Sequence, residues 1–256
     1  MIIKSSSETD IPALRQLWKQ AFGDPDSLLD GFFSTAYAPE RSLCAWEDRQ
    51  LVGMVYWFPH SWQRRKVAYA YAVATDQNYR NRGVCHQLMA ALRDRLQGLG
   101  YYGILLVPAD AGLAEFYRRM GYRDACGMRS LMRPAAPAPG EKVQKITWRE
   151  YERLRMERLP EGSLIPGPEV YRYLNTYLGF YRWDAGILCA AREVADQERV
   201  LRVQEFFGDA EQLPAVAAAM GCRTVSFRLP GEASFGMFIH LTEETEMPKY
   251  FGLPMD

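Results

Sequence analysis

Histidine and cysteine are both scarce in this sequence of 256 residues. The three histidines, at positions 60, 86 and 240, lie far apart, so the sequence predicts no metal centre. The five cysteines, at positions 44, 85, 126, 189 and 222, are odd in number and include no CxxC pair. This usage is typical of reduced thiols in a cytoplasmic protein rather than of a secreted chain held by disulfides.

Long apolar runs and an excess of one charge are also missing. No apolar run approaches the ~20 residues that span a membrane, and the first ten residues lack the apolar core of a signal peptide. Lysine and arginine total 31, as do aspartate and glutamate, so no net charge attracts a nucleic acid or a membrane. We therefore expect a cytoplasmic protein with neither as a partner, and a homo-oligomer is compatible with the sequence.

The usual motifs for nucleotide binding do not occur in their required context either. The chain contains no GxxxxGK followed by serine or threonine, and its GxGxxG at residues 98–103 lies between a predicted helix and a predicted strand rather than between a strand and a helix, which disfavours a nucleotide-binding α/β protein. Its length and its 48% hydrophobic content are sufficient to bury one substantial core or two smaller ones.

The most informative segment that is present runs from residue 69 to residue 99. An apolar run ends in a polar turn, and the sequence RNRGVC at 80–85 then leads into a predicted helix. The first N–H groups of a helix have no partners within it and lie at the positive end of its dipole. Gly83 allows close approach of the backbone, and Arg80 and Arg82 add positive charge. The pattern predicts a diphosphate ligand. The apolar stripe of this helix comprises Val84, Leu88, Ala91, Leu92, Leu96 and Leu99.

This turn resembles the pyrophosphate loop of the GNAT superfamily of acyl-CoA-dependent N-acyltransferases. Arg80 and Gly83 match the signature, and Cys85 stands where the family has glycine or alanine. A second segment, residues 103–122, combines a strand with a helix that ends in the sequence FYRRMGY. It resembles the family stretch in which a tyrosine lies beside the thioester sulfur, with Asp110 at a position that is often asparagine.

The resemblance implies an α/β fold with a mixed sheet, in the order β-α-α-β-β-β-α-β-α-β over residues 1–133. The final strand of this predicted catalytic domain is Met128–Met132. Residues 134–142 contain prolines at 134, 137 and 139 and are predicted to be a linker. Residues 143–256 repeat much of the same element order, with their last two strands at 224–229 and 235–241, and resemble a degenerate second GNAT lobe.

The two-lobed arrangement resembles acetyltransferases of the enhanced-intracellular-survival type without their third domain. In the second lobe, the turn Phe206–Asp209 has no basic residue and places a carboxylate at a helix start, where it would repel an anion. We therefore expect one coenzyme A site, in the first lobe. The second lobe is expected to shape the acceptor pocket or an interface.

The resemblance also implies the reaction, in which an acetyl group moves from acetyl-CoA, as co-substrate, to a primary amine by direct attack. Tyr117 aligns with the family's general acid, and a phenol can protonate a departing thiolate. The strand at 73–75 would contact the pantetheine and the acyl carbonyl, and the loop at 112–113 would flank the pantetheine. The implied cofactor-binding residues are Val73, Ala74, Thr75, Arg80, Asn81, Arg82, Gly83, Val84, Cys85, His86, Gly112 and Leu113.

Several roles have alternatives. Helical spacing alone makes Tyr117 a core residue, and Cys85, at a helix start, could be taken for a nucleophile although direct attack needs none. The general base is hardest to assign because the strand at 67–75 carries no glutamate. We predict that the α-carboxylate or side chain of Asp256 takes this role, since the final residues are apolar enough to pack inward. A non-catalytic acyl-CoA-binding sensor or assembly protein is the alternative to an enzyme.

Overall fold

The computed structural model describes residues 1–138, 140 and 142–255, which form two β-sheets with helices packed on them. The helices α1 to α7 span Ile11–Phe22, Asp26–Thr35, Val84–Gly98, Ala111–Arg119, Trp148–Met156, Pro168–Leu174 and Leu213–Ala219. The strands β1 to β14 span Ile2–Lys4, Ser42–Glu47, Gln50–Trp62, Arg65–Thr75, Gly103–Leu106, Arg123–Ala125, Met128–Pro134, Gln144–Ile146, Ile165–Pro166, Gly179–Trp183, Gly186–Ala195, Glu198–Phe207, Thr224–Pro230 and Gly236–His240. No helix among the described residues combines the length and hydropathy that a membrane span requires.

The first sheet has the order β1-β2-β3-β4-β5-β14-β6, with β9 paired to β3. Strands β1 to β4 are antiparallel, whereas β4 and β5 are parallel and are joined by α3 as the crossover helix. Helix α3 packs on β2, β3 and β4 because its apolar residues recur with helical period. Its buried residues are Val84, Leu88, Met89, Leu92 and Leu96. The opposite face of the sheet is covered by α1, which packs on β3 and β4.

The second sheet has the order β7-β13-β12-β11-β10-β8 and is built in a similar way. Strands β11 and β12 form an antiparallel hairpin, and β12 runs parallel to β13. Helix α7 connects these parallel strands and packs on β13, while α5 packs on β10 and β11. The α/β class with mixed sheets that the sequence predicted is confirmed.

The two sheets exchange strands. Strand β7 leaves the first half of the chain and pairs along β13, from Met128 opposite Pro230 to Pro134 opposite Thr224. In return, β14 from the second half lies between β5 and β6 of the first sheet. The predictions that 128–132 closes the first sheet and that 235–241 belongs to the second are therefore wrong. Each run is a short strand that fits either sheet, so local pattern does not fix its partner. The division of the chain into domains at 134–142 stays a prediction, although neither sheet is built from one side of it alone.

The two halves also meet through side chains. Arg41 forms an ion pair of 2.5 Å with the buried Glu169 of α6. Helices α2 and α6 are in contact, and a Cβ atom at Gly31 would lie 2.3 Å from Oγ1 of Thr176, two residues beyond the end of α6. The core on this face of the first sheet therefore continues into the second half without interruption.

A fully buried ion pair anchors the second half. Arg155 donates to both carboxylate oxygens of Glu205, from Nε at 2.7 Å and from a terminal nitrogen at 2.9 Å. Tyr151 and Tyr250 donate to the same carboxylate at 2.8 and 3.1 Å. These four bonds satisfy a charge that would otherwise be very costly to bury. Because Tyr250 is one of the donors, the pair also fixes the start of the C-terminal segment.

Candidate functional site

A wedge-shaped cleft opens between strands β4 and β5. Their parallel register joins residues 67–69 to residues 103–105, and β4 then continues through Thr75 while β5 ends at Leu106. The register of β4 on β3 shifts between Met54 and Tyr56, and Ala72 lies in the left-handed region at φ +51°. Such a bulge bends a strand, and here it turns the end of β4 away from β5. Along this end, Ala74 is buried and Val73 and Thr75 are half-buried.

A tight turn leads from β4 into α3. The carboxylate of Asp76 accepts the N–H of Asn78 at 2.8 Å, so this side chain stabilises the turn rather than facing the cleft. Asn81 and Gly83 both have positive φ, at +61° and +77°. Gly83 is the N-cap residue of α3, and a left-handed conformation of this kind favours glycine.

The start of α3 presents unpaired N–H groups. Gln87 N–H donates to the carbonyl of Gly83 at 3.0 Å, so residues 84–86 lie ahead of the first intrahelical bond. The first turn contains no acidic residue, and Arg80 and Arg82 are exposed beside it. The Arg82 guanidinium lies 5.0 Å from the ring centre of Tyr79. Together the helix dipole, the free amides and the two charges form a site suited to a phosphate group.

The predicted phosphate-binding residues are thus brought together by the turn. Arg80, Asn81, Arg82, Gly83 and His86 are exposed, Cys85 is half-buried and Val84 is buried. Burial raises the pKa of the Cys85 thiol to about 11, so it remains protonated near neutral pH. A protonated thiol is a poor nucleophile, which argues against the alternative role considered for Cys85.

Tyr117 lies on the buried face of α4. Its ring packs against Phe116 at 5.4 Å and Tyr122 at 5.5 Å between centres, and 6% of the residue is exposed. Burial raises the pKa of Tyr117, and the Cys85 thiol acts in the same direction, which places this hydroxyl near the start of α3. The residue is therefore a core residue, and its predicted role as the general acid stays a prediction that this burial does not exclude.

The loop from β5 to α4 is held by a side-chain cap. Asp110 caps α4 by accepting the N–H of Leu113 at 2.8 Å, so this amide is already paired within the protein. A Cβ atom at Gly112 would lie 3.2 Å from Oδ1 of the same aspartate. Gly112 and Leu113 are exposed in the first turn and can flank a ligand with their surfaces, but Leu113 N–H cannot donate to it without breaking the cap. This cap could have been predicted from the sequence, because Asp110 stands three residues before Leu113 at the start of a predicted helix.

An aromatic group lies on the other side of β4 and was not predicted from the sequence. The Tyr71 hydroxyl is 3.1 Å from the Tyr173 hydroxyl of α6, and Trp18 packs 5.5 Å from the Tyr71 ring. Trp18 Nε1 donates to Asp24 at 2.8 Å. A small cavity of about 20 Å³, lined by Trp18 among others, reaches Ala72 at the bulge. No local signal could have identified Tyr173, because its contact with Tyr71 joins positions 102 residues apart.

The C-terminal segment, residues 250–255, reaches this region. Met255 N–H donates to Oη of Tyr69 at 3.3 Å, and the Phe251 ring packs 4.8 Å from Tyr69. The side-chain amide of Gln204 donates to the carbonyl of Pro254. The expectation that the final apolar residues pack inward is met as far as Met255. Asp256 lies outside the described residues, so its role as general base stays a prediction.

One family model matches the part of the chain that carries the cleft. Residues 2–125 match the model described as an acetyltransferase (GNAT) domain. No curated protein sequence matches the chain.

Solved structures resemble the chain over nearly its whole length. A GCN5-related N-acetyltransferase from Anabaena variabilis has a TM-score of 0.74 at 16% identity, covering 94% of this chain and 73% of its own. Eis1 from Mycobacterium abscessus has a TM-score of 0.68 at 13% identity, with 94% and 74% covered. A putative acetyltransferase from Pyrococcus horikoshii has a TM-score of 0.67 at 15% identity, with 98% and 93% covered. At these identities the likeness shows a shared fold, and it extends over both halves of the chain.

Proposed function

We propose that this chain, whose residues 2–125 match the model of an acetyltransferase (GNAT) domain, transfers an acetyl group from acetyl-CoA to the primary amine of a small molecule or peptide. One observation carries the proposal: the wedge between β4 and β5 opens beside the unpaired N–H groups that begin α3. An extended thiol ester with a diphosphate at its far end fits such a combination of slot and anion site.

The phosphate end would be held by the turn. The N–H groups from Asn81 to His86 would bind the diphosphate oxygens, and Arg80 and Arg82 would add charge from the exposed side. The backbone of Val73, Ala74 and Thr75 would pair with the pantetheine arm as a neighbouring strand would, since β4 has left β5 there. Gly112 and Leu113 would flank the arm from the start of α4.

The chemical step needs no enzyme-bound intermediate. The amine nitrogen attacks the thioester carbonyl carbon, the carbon–sulfur bond breaks, and the thiolate leaves as the amide forms. The new amide nitrogen loses one proton to a base, and the sulfur gains one from an acid. Holding both reactants in one cleft supplies much of the rate enhancement, because the encounter no longer costs translational entropy.

Tyr117 is the group proposed to protonate the sulfur. Its raised pKa keeps the phenol protonated at neutral and moderately alkaline pH, so a hydrogen-bond donor faces the departing thiolate. Burial in the same cleft raises the basicity of that thiolate too, which offsets the weaker acidity of the phenol. The proposed base is Asp256, with the approach of Met255 to Tyr69 on β4 as its structural support.

The second half is proposed to be a degenerate lobe that shapes the acceptor side. Its Tyr173 contacts Tyr71 on the strand that borders the cleft. The start of α7 is unsuited to a diphosphate, because the carboxylate of Asp209 accepts the N–H of Glu211 at 3.0 Å in the turn that precedes the helix. One coenzyme A site per chain follows.

The test has two parts. Calorimetry should detect binding of acetyl-CoA in preference to ATP and NAD, and thiol release should be measured across a panel of polyamines, aminoglycosides, amino acids and peptide N-termini. We expect at least one amine to accelerate thiol release. Binding without release for any amine would favour the non-catalytic sensor, and no binding of acetyl-CoA would overturn the proposal.

A further inference from the structure

The second sheet contains a wedge of its own. Strand β12 pairs with β13 over residues 200–202 and 224–226, and both strands continue beyond this pairing. A shift in the register of β12 against β11 leaves Gln204 as an extra residue in β12. A bulge of this kind bends its strand, as the bulge in β4 does in the first sheet.

A cavity of about 470 Å³ lies at the ends of these two strands, lined by residues 204–208 of one and 228–230 of the other. Such a space is far larger than the gaps that close packing leaves in a protein interior. Its volume is roughly three times the ~150 Å³ in which a buried apolar cavity can hold a benzene ring. It also falls in the range of about 300–1,000 Å³ that is typical of small-molecule sites. The cavity therefore has room for a ligand with more than one ring.

Apolar and aromatic side chains form most of the cavity wall. They include Phe206, Phe207, Leu229, Phe235 and Phe251. Aromatic rings offer large, flat contact surfaces and pack well against another ring, either offset or edge to face. Water gains few hydrogen bonds from such a wall, so the lining favours a ligand with an aromatic body.

The carboxylate at the cavity wall is satisfied within the protein. Glu205 accepts from two nitrogens of Arg155 and from the hydroxyls of two tyrosines. The side-chain amide of Gln204 donates to the carbonyl of Pro254. A cationic ligand therefore competes with bonds that the fold already makes around Glu205.

The arginines of the wall are engaged as well. Arg158 donates to the carbonyl of Leu154 at 2.7 Å and lies 3.5 Å from the carboxylate of Glu157. The Arg228 guanidinium packs 4.8 Å from the ring centre of Phe235. An anionic ligand would thus give up its hydration in a place where the positive charges already have partners, which is unfavourable. Neither sign of charge is favoured, and the cavity suits a neutral ligand.

The C-terminal segment, residues 250–255, forms one side of the cavity. Residues 250–252 and 254 line it. Phe251 also packs against Tyr69 of β4, and Met255 N–H donates to the hydroxyl of the same tyrosine. A ligand in the cavity would therefore contact a segment that continues to the first sheet.

We propose that the second wedge is a binding site for a neutral small molecule with an aromatic body of more than one ring, which packs against the C-terminal segment. The site requires no acetyl transfer. It can therefore be tested whether or not the proposed function is correct.

The first test compares three probes with the same ring system and different charges. Naphthalene-2-carboxamide is neutral, naphthalene-2-carboxylate is an anion, and naphthalen-2-ylmethylammonium is a cation. Each should be titrated into the full chain by calorimetry without acetyl-CoA, so that the amine is not consumed. We expect the carboxamide to bind at least tenfold more tightly than either charged probe, because only the charged probes lose strong hydration without gaining a free partner. Absence of carboxamide binding, or a charged probe that binds as tightly, would overturn the proposal.

The second test establishes the location by filling the cavity. Ala185 lines the cavity at an exposed turn, so Ala185→Trp adds bulk there with little risk to folding. This variant should weaken carboxamide binding at least tenfold. Val194→Trp is the matched control, because Val194 is 75% exposed and lies outside the lining. Undiminished binding to Ala185→Trp, or an equal loss in both variants, would place the ligand elsewhere.

Two further measurements keep the location testable if Ala185→Trp does not fold, as judged by circular dichroism. Phe235→Ala removes a ring from the wall and should weaken carboxamide binding severalfold. In the wild type, saturating carboxamide should slow hydrogen–deuterium exchange of the amides in residues 250–255, since the ligand covers this segment. Unchanged affinity in Phe235→Ala, or unchanged exchange in the segment, would contradict the assigned site.

Discussion

The hydroxyl of Tyr71 on β4 lies 3.1 Å from the hydroxyl of Tyr173 on α6. This bond joins β4, which borders the cleft between β4 and β5, to a helix from the other half of the chain. Phe58 strengthens the same junction, since its ring stacks on Tyr173 at 6.3 Å between centres. This face of β4 is thus formed by both halves together.

Two matched substitutions can separate the effect of charge and side-chain bulk at the start of α3 from the effect of backbone strain. Gly83→Glu places a carboxylate among the amides that we propose bind the diphosphate, and should weaken acetyl-CoA binding at least tenfold in calorimetry at modest salt. Gly100→Glu is the control, because φ is +72° there against +77° at Gly83 and no atom crowds the position. Both variants should lose about 1 kcal/mol of stability. Undiminished binding by Gly83→Glu would refute the assigned phosphate site.

Two neighbouring tyrosines distinguish proton donation from packing. Tyr117→Phe should lower kcat about a hundredfold while the Kd of acetyl-CoA stays the same, because a general acid acts in the chemical step. Tyr122→Phe is the control: its hydroxyl is buried and finds no hydrogen-bond partner among the described residues, so its removal should cost neither activity nor stability. Equal kcat for Tyr117→Phe and the wild type would show that Tyr117 is a packing residue.

The C-terminal segment offers a test of the general base. Deleting residues 254–256 should cut turnover strongly and leave acetyl-CoA affinity nearly intact, since the segment contacts Tyr69 rather than the start of α3. The variant Asp256→Asn shows which carboxylate acts as the general base. Loss of turnover would identify the side-chain carboxylate, and retained turnover would identify the main-chain α-carboxylate. A deletion that reduces affinity and turnover by the same factor would remove the proposal for Asp256.

The buried pair of Arg155 and Glu205 should dominate the electrostatic stability of the second half. Glu205→Gln removes the charge that balances a fully buried guanidinium, and we expect a loss of about 3–5 kcal/mol in urea-induced unfolding. Glu157→Gln breaks the pairs of Glu157 with Arg153 and Arg158 at the end of α5, where the side chains of Arg153 and Glu157 are more than half exposed, and should change stability by less than ~1 kcal/mol. Similar losses for the two variants would contradict this view of the buried pair.

His60 should make stability depend on pH. Burial and the positive charge of Arg155 lower the pKa of His60 from 6.5 to about 4. The contact of 3.2 Å between Nδ1 of His60 and the carbonyl of Phe58 acts in the opposite direction. The unfolded chain then binds more protons between these values, so stability should fall by about 3 kcal/mol as pH drops from 6.5 to 4. Urea unfolding of His60→Phe should show a flatter profile in that window, whereas replacing the exposed His86 should not alter it. Parallel profiles for His60→Phe and the wild type would contradict the assignment.

Local features of the fold could be predicted from the sequence. The stripe of α3 was predicted because helical period is a property of one segment, and Val84, Leu88, Leu92 and Leu96 are all buried. Leu99 was included in the stripe but is 43% exposed, since the helix ends at Gly98. The phosphate turn was equally local, because its amides and arginines lie within seven residues.

Features that depend on distant contacts could not be predicted. Strands β7 and β14 have patterns that suit any half-buried strand, and only the assembled sheets decide which neighbour each one takes. A cavity of about 470 Å³ could not be predicted for the same reason, because its lining combines Arg158, Phe206, Arg228 and Tyr250 from four separate segments of the chain. The sequence pattern identifies the strand segments, whereas the neighbour of each strand is decided by competition among all the sheet edges that the folded chain offers.

The strand exchange sets the order in which the protein can assemble on the ribosome. Strand β5 is complete at Leu106, but its neighbour β14 begins at Gly236, some 130 residues later in synthesis. At translation rates of 5–20 residues per second, the outer edge of β5 waits on the order of ten seconds for its partner. During that time its unpaired backbone is open to pairing with another nascent chain. The first sheet cannot be completed before β14 has been synthesised, so the cleft between β4 and β5 takes its final form only at that point.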